Sequence, residues 1–219
     1  MTRIAIIGGH GKVALEVARI LAADGKDVTS FFRNPDHTED VAATGATPSV
    51  LDVENTTTAE LAGALSGHDA MVWSAGAGGG SPERTYAVDR DAAIRSMDAA
   101  AEAGVGRYVM VSYFGAGPDH GVPADNSFHT YAEAKAAADQ YLRGTDLAWT
   151  ILGPGTLTDG PGNGLIDVNP ADTSAGTATS RANVALVTAA VLGLPDTAGR
   201  TIEFRDGTLP ISAALQLAR

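Results

Sequence analysis

The chain contains no cysteine, which removes disulfides, thiol nucleophiles and thiolate-ligated metal sites from consideration. It has no apolar run approaching the length of a membrane span, and its N-terminus enters a strand at once, without a basic leader or cleavage site. A cytoplasmic protein is therefore expected. Cations are scarce: 15 Lys and Arg stand against 26 Asp and Glu, for a formal charge of −11. That sign disfavours nucleic acid or an anionic membrane as a partner, since both repel an acidic surface. Internal repeats, heptad runs, charged tails and long linkers are also missing. What is present is 219 residues with 44% hydrophobic and 19% charged side chains, enough for one domain with a substantial core.

The most informative stretch is Thr2 to Leu21. A short apolar run, Ile4 to Ile7, breaks into Gly8, Gly9 and Gly11, after which Val13, Val17, Ile20 and Leu21 recur at helical spacing. Strand, glycine turn and helix follow. Residues without a Cβ let a backbone approach a diphosphate, and a helix start offers N–H groups and a positive dipole end. The spacing Gly8, Gly11, Ala14 fits the looser form of the dinucleotide fingerprint, so Gly8, Gly9, His10, Gly11, Lys12 and Val13 are the candidate pyrophosphate site.

Further strands are predicted at Asp27 to Phe32, Thr47 to Leu51, Ala70 to Ser74, Arg107 to Ser112, Ala148 to Leu152 and Thr201 to Phe204. Helices are predicted at Thr56 to Leu65, Glu83 to Ala103, Phe128 to Leu142 and Val184 to Leu192, the last capped by Ser180, with a short terminal helix after the final strand. Gly76 to Gly80 follows the fourth strand, and Tyr113 to Ser127 is punctuated by glycine and proline as a loop. Alternating strands and helices imply an α/β, Rossmann-type doubly wound parallel β-sheet. Residues 1–219 read as a single domain, with the loop-rich segment 153–180 as a reduced C-terminal substrate lobe.

Tyr131 and Lys135 lie four apart on a predicted helix and so share a face. An ammonium beside a phenol favours the phenolate and lowers its pKa from about 10. Tyr131 is the candidate proton donor to a carbonyl oxygen, Lys135 the candidate ribose-binding group, and Ser112, at a strand's carboxyl end, the candidate orienting hydroxyl. His10, His120 and His129 show no metal-ligand spacing, so no metal is expected; His10 and His120 read as polar surface, and His129 points elsewhere on its helix. Trp73 reads as core or as a border of the pocket.

Taken together, the Gly8-Gly9-His10-Gly11 turn, the Gly104 to Ser112 passage, the Tyr131-Ala132-Glu133-Ala134-Lys135 stretch and the Leu147 to Thr158 segment resemble the atypical short-chain dehydrogenase/reductases. The resemblance is to the small NAD(P)-binding branch related to NmrA-like and flavin/biliverdin-reductase-like proteins, and it covers nearly the whole chain. It implies a Rossmann protein with a reduced C-terminal lobe, and NAD(P) binding more firmly than any reaction. Relatives usually carry Arg where Gly153 stands, and often Asp where Asn183 stands.

Cofactor choice turns on the end of the second strand, where an acidic residue would accept from a ribose and repel a 2′-phosphate. Arg33 and Asn34 stand there instead, which favours NADP(H) over NAD(H). Asp52 and Val53 are expected to flank adenine, Ser74, Ala75 and Gly76 to run beside the cofactor's middle, and Pro154, Gly155 and Thr156 to border the nicotinamide. The expected activity is hydride transfer to or from a small carbonyl, quinone or flavin-like acceptor. A non-catalytic NAD(P) sensor is the alternative, and a sugar-nucleotide epimerase or dehydratase a third reading. The oligomeric state is left open.

Overall fold

A computed structural model of the chain describes residues 2–78, 81–170 and 176–217. The apolar runs become strands: β1 (Arg3–Ile7), β2 (Asp27–Phe32), β3 (Thr47–Val50), β4 (Ala70–Trp73), β5 (Arg107–Val111), β6 (Ala148–Pro154) and β10 (Arg200–Asp206). They lie side by side in the order β3-β2-β1-β4-β5-β6-β10, all parallel. This is the doubly wound order, with a switch point where β1 sits between β2 and β4.

Both faces of the sheet are covered, as a parallel sheet requires. Because successive side chains of a strand point to opposite faces, Ile4 and Ile6 pack with α1 (Lys12–Ala23) and α7 (Arg181–Leu192), whereas Ala5 and Ile7 pack with α3 (Thr58–Leu65), α5 (Ala93–Glu102) and α6 (His129–Arg143). Trp73 is fully buried in the second of these layers, so it is core and not a pocket border. Each fully buried aliphatic side chain contributes roughly 1.5–3 kcal/mol. Helix α3 starts on a reciprocal cap in which Thr57 and Glu60 satisfy each other's backbone N–H groups.

The helix expected over Glu83 to Ala103 forms as three consecutive pieces: α4 (Pro82–Thr85), a π-helical stretch Tyr86–Ala92, and α5. It ends before Gly104, whose φ of +73° suits the residue after a helix. A short helix, α2 (Thr38–Ala42), lies in a region that the sequence leaves unassigned. The segment 153–180 is more ordered than expected. It contains the end of β6, the paired strands β7 (Leu157–Thr158) and β9 (Thr179–Ser180), and β8 (Leu165–Val168). Strand β8 runs antiparallel to β10, and β11 (Leu209–Pro210) pairs antiparallel with β8 before α8 (Ile211–Leu217). Residues 171–175 of this segment, and Gly79 and Gly80 of the glycine-rich stretch, lie outside the described residues. Among the described residues no helix is long and apolar enough to cross a membrane.

Candidate active site

Between β1 and α1 the chain passes over the sheet's carboxyl edge. Gly8 has φ +83°, and a Cβ there would meet the Ala75 Cα at 2.6 Å. Only glycine lets this turn lie against the backbone that leaves β4. The amides of Gly8 and Gly9 both donate to the Phe31 carbonyl at 3.0 and 2.8 Å, and that of Gly11 donates to the Gly8 carbonyl at 2.8 Å. The glycines therefore shape the turn and use their own N–H groups within it. The first turn of α1, which begins at Lys12, receives no side-chain cap from Gly11, so its N–H groups lack acceptors within the helix. An anion placed there meets N–H groups and the positive end of the helix.

Two clefts meet over this turn and share Gly11, Ser74, Ala75 and Gly76. The smaller, about 290 Å³, runs over the ends of β1 to β3 and is bounded by Gly8, His10, Arg33, Asn34, Asp52 and Val53. Arg33 Nη1 lies 3.6 Å and Arg84 Nε 3.4 Å from the Glu54 carboxylate, which also borders this cleft. His10 and His37 stack with ring centres 3.5 Å apart, and His10 Nε2 is 3.0 Å from Asp40. Asn34 Oδ1 accepts the Asp36 N–H, and the Asp52 carboxylate accepts from the Glu54 N–H and the Asn55 amide, so both side chains brace their own turns.

The larger cleft, about 920 Å³, holds Lys12, Val13, Asp89, Ser112, Phe128, Tyr131, Leu157 and Arg181. Tyr131 packs against Phe128 and Tyr113 with ring centres 5.1 and 5.6 Å away. The Ser112 hydroxyl donates to Asp139 Oδ2 at 2.6 Å. Asp89 lies in the π-helical stretch and accepts the Ala77 N–H at 3.0 Å. Lys12 Nζ and Arg181 Nη1 each grip a different oxygen of Asp159, at 2.9 and 2.8 Å, joining α1 and α7 to the loop that follows β7.

A groove of this kind at the switch point suits a dinucleotide, and comparison with known proteins agrees. The profile of the NAD(P)H-binding family matches residues 8–195. The chain belongs to that family. A UPF0659 protein of Schizosaccharomyces pombe is 33% identical, over 98% of this chain and 94% of that protein. The fold matches a Bacillus halodurans structure described as an NAD-dependent epimerase/dehydratase, with TM-score 0.90, 28% identity and coverage of 99% of this chain and 100% of that one. It also matches the Lactococcus lactis oxidoreductase ylbE, with TM-score 0.87, 28% identity and coverage of 99% and 96%. This family and these neighbours fit the atypical short-chain dehydrogenase/reductase branch.

Within this NAD(P)H-binding protein, the residues singled out from sequence separate into those that face the groove and those that stand behind it. Gly8, His10, Gly11, Lys12, Val13, Arg33, Asn34, Asp52, Val53, Ser74, Ala75, Gly76, Ser112 and Tyr131 line it. Gly9 lies beneath, where a Cβ would be 2.7 Å from that of Ser30. Pro154, Gly155 and Thr156 are not in the lining; Leu157 is. Gly155 instead sits against Thr177, its N–H donating to Phe204 O and Thr179 Oγ1.

Lys135 differs most from its expected role. The residue is 1% exposed, and its ammonium donates to Val111 O at 3.0 Å and toward Met110 Sδ at 3.1 Å, outside the groove lining. Burial pushes its pKa down, against the pull of Asp139 and Asp89. The Tyr131 phenol is pushed up, by burial first and then by Asp89 and Asp139, so the expected lowering by Lys135 is reversed.

His120 and His129 are also corrected. The His120 side chain is 5% exposed and meets Glu133 at 2.8 Å, while its Nδ1 accepts the Val122 N–H. His129 Nδ1 donates to Val122 O, which brings the two rings edge to face at 5.6 Å. The ligand-type atoms of His120, His129 and Glu133 fall within 4.8 Å of one another. With Nδ1 accepting, however, His120 carries its proton on Nε2, the nitrogen facing Glu133. The trio thus anchors the 113–127 loop to α6.

The sequence reading missed Asp89, Arg84, Glu54, Arg181 and Asp139. A signal for Asp139 exists: Ala132, Lys135, Asp139 and Leu142 follow the buried stripe of α6 at helical spacing.

Proposed function

We propose that the protein is an NADP(H)-dependent oxidoreductase that moves hydride to or from a small carbonyl, quinone or flavin-like acceptor. The observation that carries this reading is one groove made of two joined clefts, which runs from Arg33 and Asp52 past the uncapped first turn of α1 to Ser112 and Tyr131. Bound reduced nicotinamide would supply the hydride. The first-turn N–H groups of α1 would hold its pyrophosphate, and Ser112 and Tyr131 would meet the acceptor's oxygen. Phe128 and Tyr131 offer aromatic faces to a planar acceptor.

For the adenosine end, Arg33 and Arg84 favour NADP(H), because two guanidinium groups converge where a 2′-phosphate would lie. Glu54 neutralises part of that charge, so a phosphate must draw Arg33 off the carboxylate. Steady NADPH oxidation with quinone, flavin or aldehyde acceptors, lost in Ser112→Ala, tests the enzymatic reading. Tight dinucleotide binding with no turnover across that panel contradicts it.

The seclusion of the Lys135 ammonium favours a second reading, a non-catalytic NAD(P) sensor in which the ligand orders the 113–127 loop. Protection of that loop from hydrogen exchange on adding NADPH, without turnover, would select the sensor.

A further inference from the structure

We propose that the proton given to the substrate's oxygen passes from Asp139 through the Ser112 hydroxyl, with Lys135 balancing the charge from the same helix. This rests on the oxidoreductase reading above, and it names the proton source for that site.

The geometry is specific. Ser112 stands at the floor of the larger cleft, and its Oγ is 2.6 Å from Asp139 Oδ2. Asp139 is fully buried on the inner stripe of α6, and its second oxygen, Oδ1, has no hydrogen-bond partner. A carboxylate with an unpartnered buried oxygen is costly, and a proton on the group relieves that cost. Lys135 lies one helical turn away on the same stripe, yet among the described residues no acidic oxygen comes within 4.0 Å of its ammonium, which is held by Val111 O. Lys135 therefore acts on Asp139 through the field and leaves the carboxyl free to carry a proton.

While Asp139 is ionised, the Ser112 hydrogen points back at it, and the cleft sees only an acceptor. Once Asp139 is protonated, the bond reverses and the Ser112 O–H turns to the cleft as a donor. As a dihydronicotinamide delivers its hydride to the acceptor, the acceptor's oxygen takes the Ser112 proton. Ser112 Oγ takes the proton of Asp139 in the same step, and a carboxylate remains. That carboxylate is stabilised by Lys135 and is reprotonated from the cleft through Ser112 after the product leaves.

The groups that face Asp139 are Tyr131, Lys135 and Arg143 on its own helix, Tyr108 and Ser112 on and after β5, and Tyr113 beyond them. Asp89 acts on Lys135 and Tyr131 from the π-helical stretch. Burial raises the Asp139 carboxyl, while Lys135, Ser112 and Arg143 lower it. Asp139 is thus a positioning residue and Ser112 the group that touches substrate.

The test begins on the free protein, by carbon-13 NMR titration of its aspartate carboxyl groups, with Asp139→Asn to assign the signal. The expected result is an Asp139 midpoint above the ordinary carboxylate range, which moves higher in Ser112→Ala as a stabilising donor is lost. With NADPH and an active acceptor, Asp139→Asn should lower kcat roughly 100-fold or more. It should leave the KM for NADPH unchanged and remove the limb of the pH profile that Tyr131→Phe retains. Asp139→Glu should restore part of the rate, and the Ser112→Ala, Asp139→Asn double variant should be no slower than Ser112→Ala alone.

An Asp139 that titrates in the ordinary range overturns the relay; if Asp139→Asn does not fold, the carboxyl signal that moves in Ser112→Ala identifies Asp139, whose only side-chain donor among the described residues is Ser112. Turnover that keeps its pH limb in Asp139→Asn overturns the relay alone. NADPH binding without turnover of any acceptor removes the enzymatic reading and the relay with it.

Discussion

Gly8 and Arg33 place opposite demands on substitution. At Gly8 a side chain is excluded twice, by a positive φ and by the Ala75 backbone 2.6 Å from where a Cβ would stand. The left-handed conformation alone costs alanine roughly 1–2 kcal/mol. Gly8→Ala should therefore lower stability in urea melts by more than that amount and weaken dinucleotide binding, because the turn must shift away from β4. Arg33 is half exposed and carries no part of the core. Arg33→Ala should leave stability unchanged but weaken NADPH about 10- to 100-fold, the worth of one charge-assisted hydrogen bond. Its effect on NADH should be small, and equal losses for the two cofactors would remove Arg33 from the phosphate site.

Asn183, near the start of α7, ties that helix to the strands of the C-terminal segment. Its amide nitrogen donates to Asn163 Oδ1, Leu165 O and Asp206 Oδ1 at 3.1, 3.1 and 2.8 Å, and its oxygen accepts the Gly164 N–H at 2.9 Å. Introducing aspartate, which the resembled family often carries here, would set a carboxylate against Asp206 and the Leu165 carbonyl in a fully buried position. Asn183→Asp should cost on the order of 2–3 kcal/mol, read by thermal unfolding.

The parallel strands are readable because β1 and β4, sandwiched between helices, must be apolar on both faces. The strand β8 is not, since Leu165–Val168 is short, lies among glycines and, among the described residues, pairs only with distant β10 and β11. Likewise, four-residue spacing puts Tyr131 and Lys135 near each other on α6 but does not say which of them faces the sheet. The buried stripe does, and it takes Lys135. The π-helical stretch that brings Asp89 to the cleft has no sequence signature of its own.

Across the whole molecule, the buried charges of Asp89, Lys135 and Asp139 couple stability to pH. Burial raises both carboxyl groups, so the folded state holds protons that the unfolded chain has released. Their contribution is fully present below the unfolded value of about 3.9 and is lost as pH rises through the folded values. Lys135 is lowered, so the folded state releases its proton first, and stability rises with pH between its folded value and the unfolded value of about 10.4. Asp139→Asn should remove part of the loss of stability on raising the pH, seen as a flatter plot of unfolding free energy against pH from about 4 upward. A slope unchanged by that substitution would mean that Asp139 is not raised.

The uncapped first turn of α1 should hold a pyridine dinucleotide whose far end reaches Ser112. Calorimetric titration of NADPH into the intact chain tests it most directly. Binding should saturate at one dinucleotide per chain, be weakened in Gly8→Ala, and prefer NADPH over NADH in wild type. A folded wild-type protein that gives no binding heat with either nucleotide at several temperatures would contradict it.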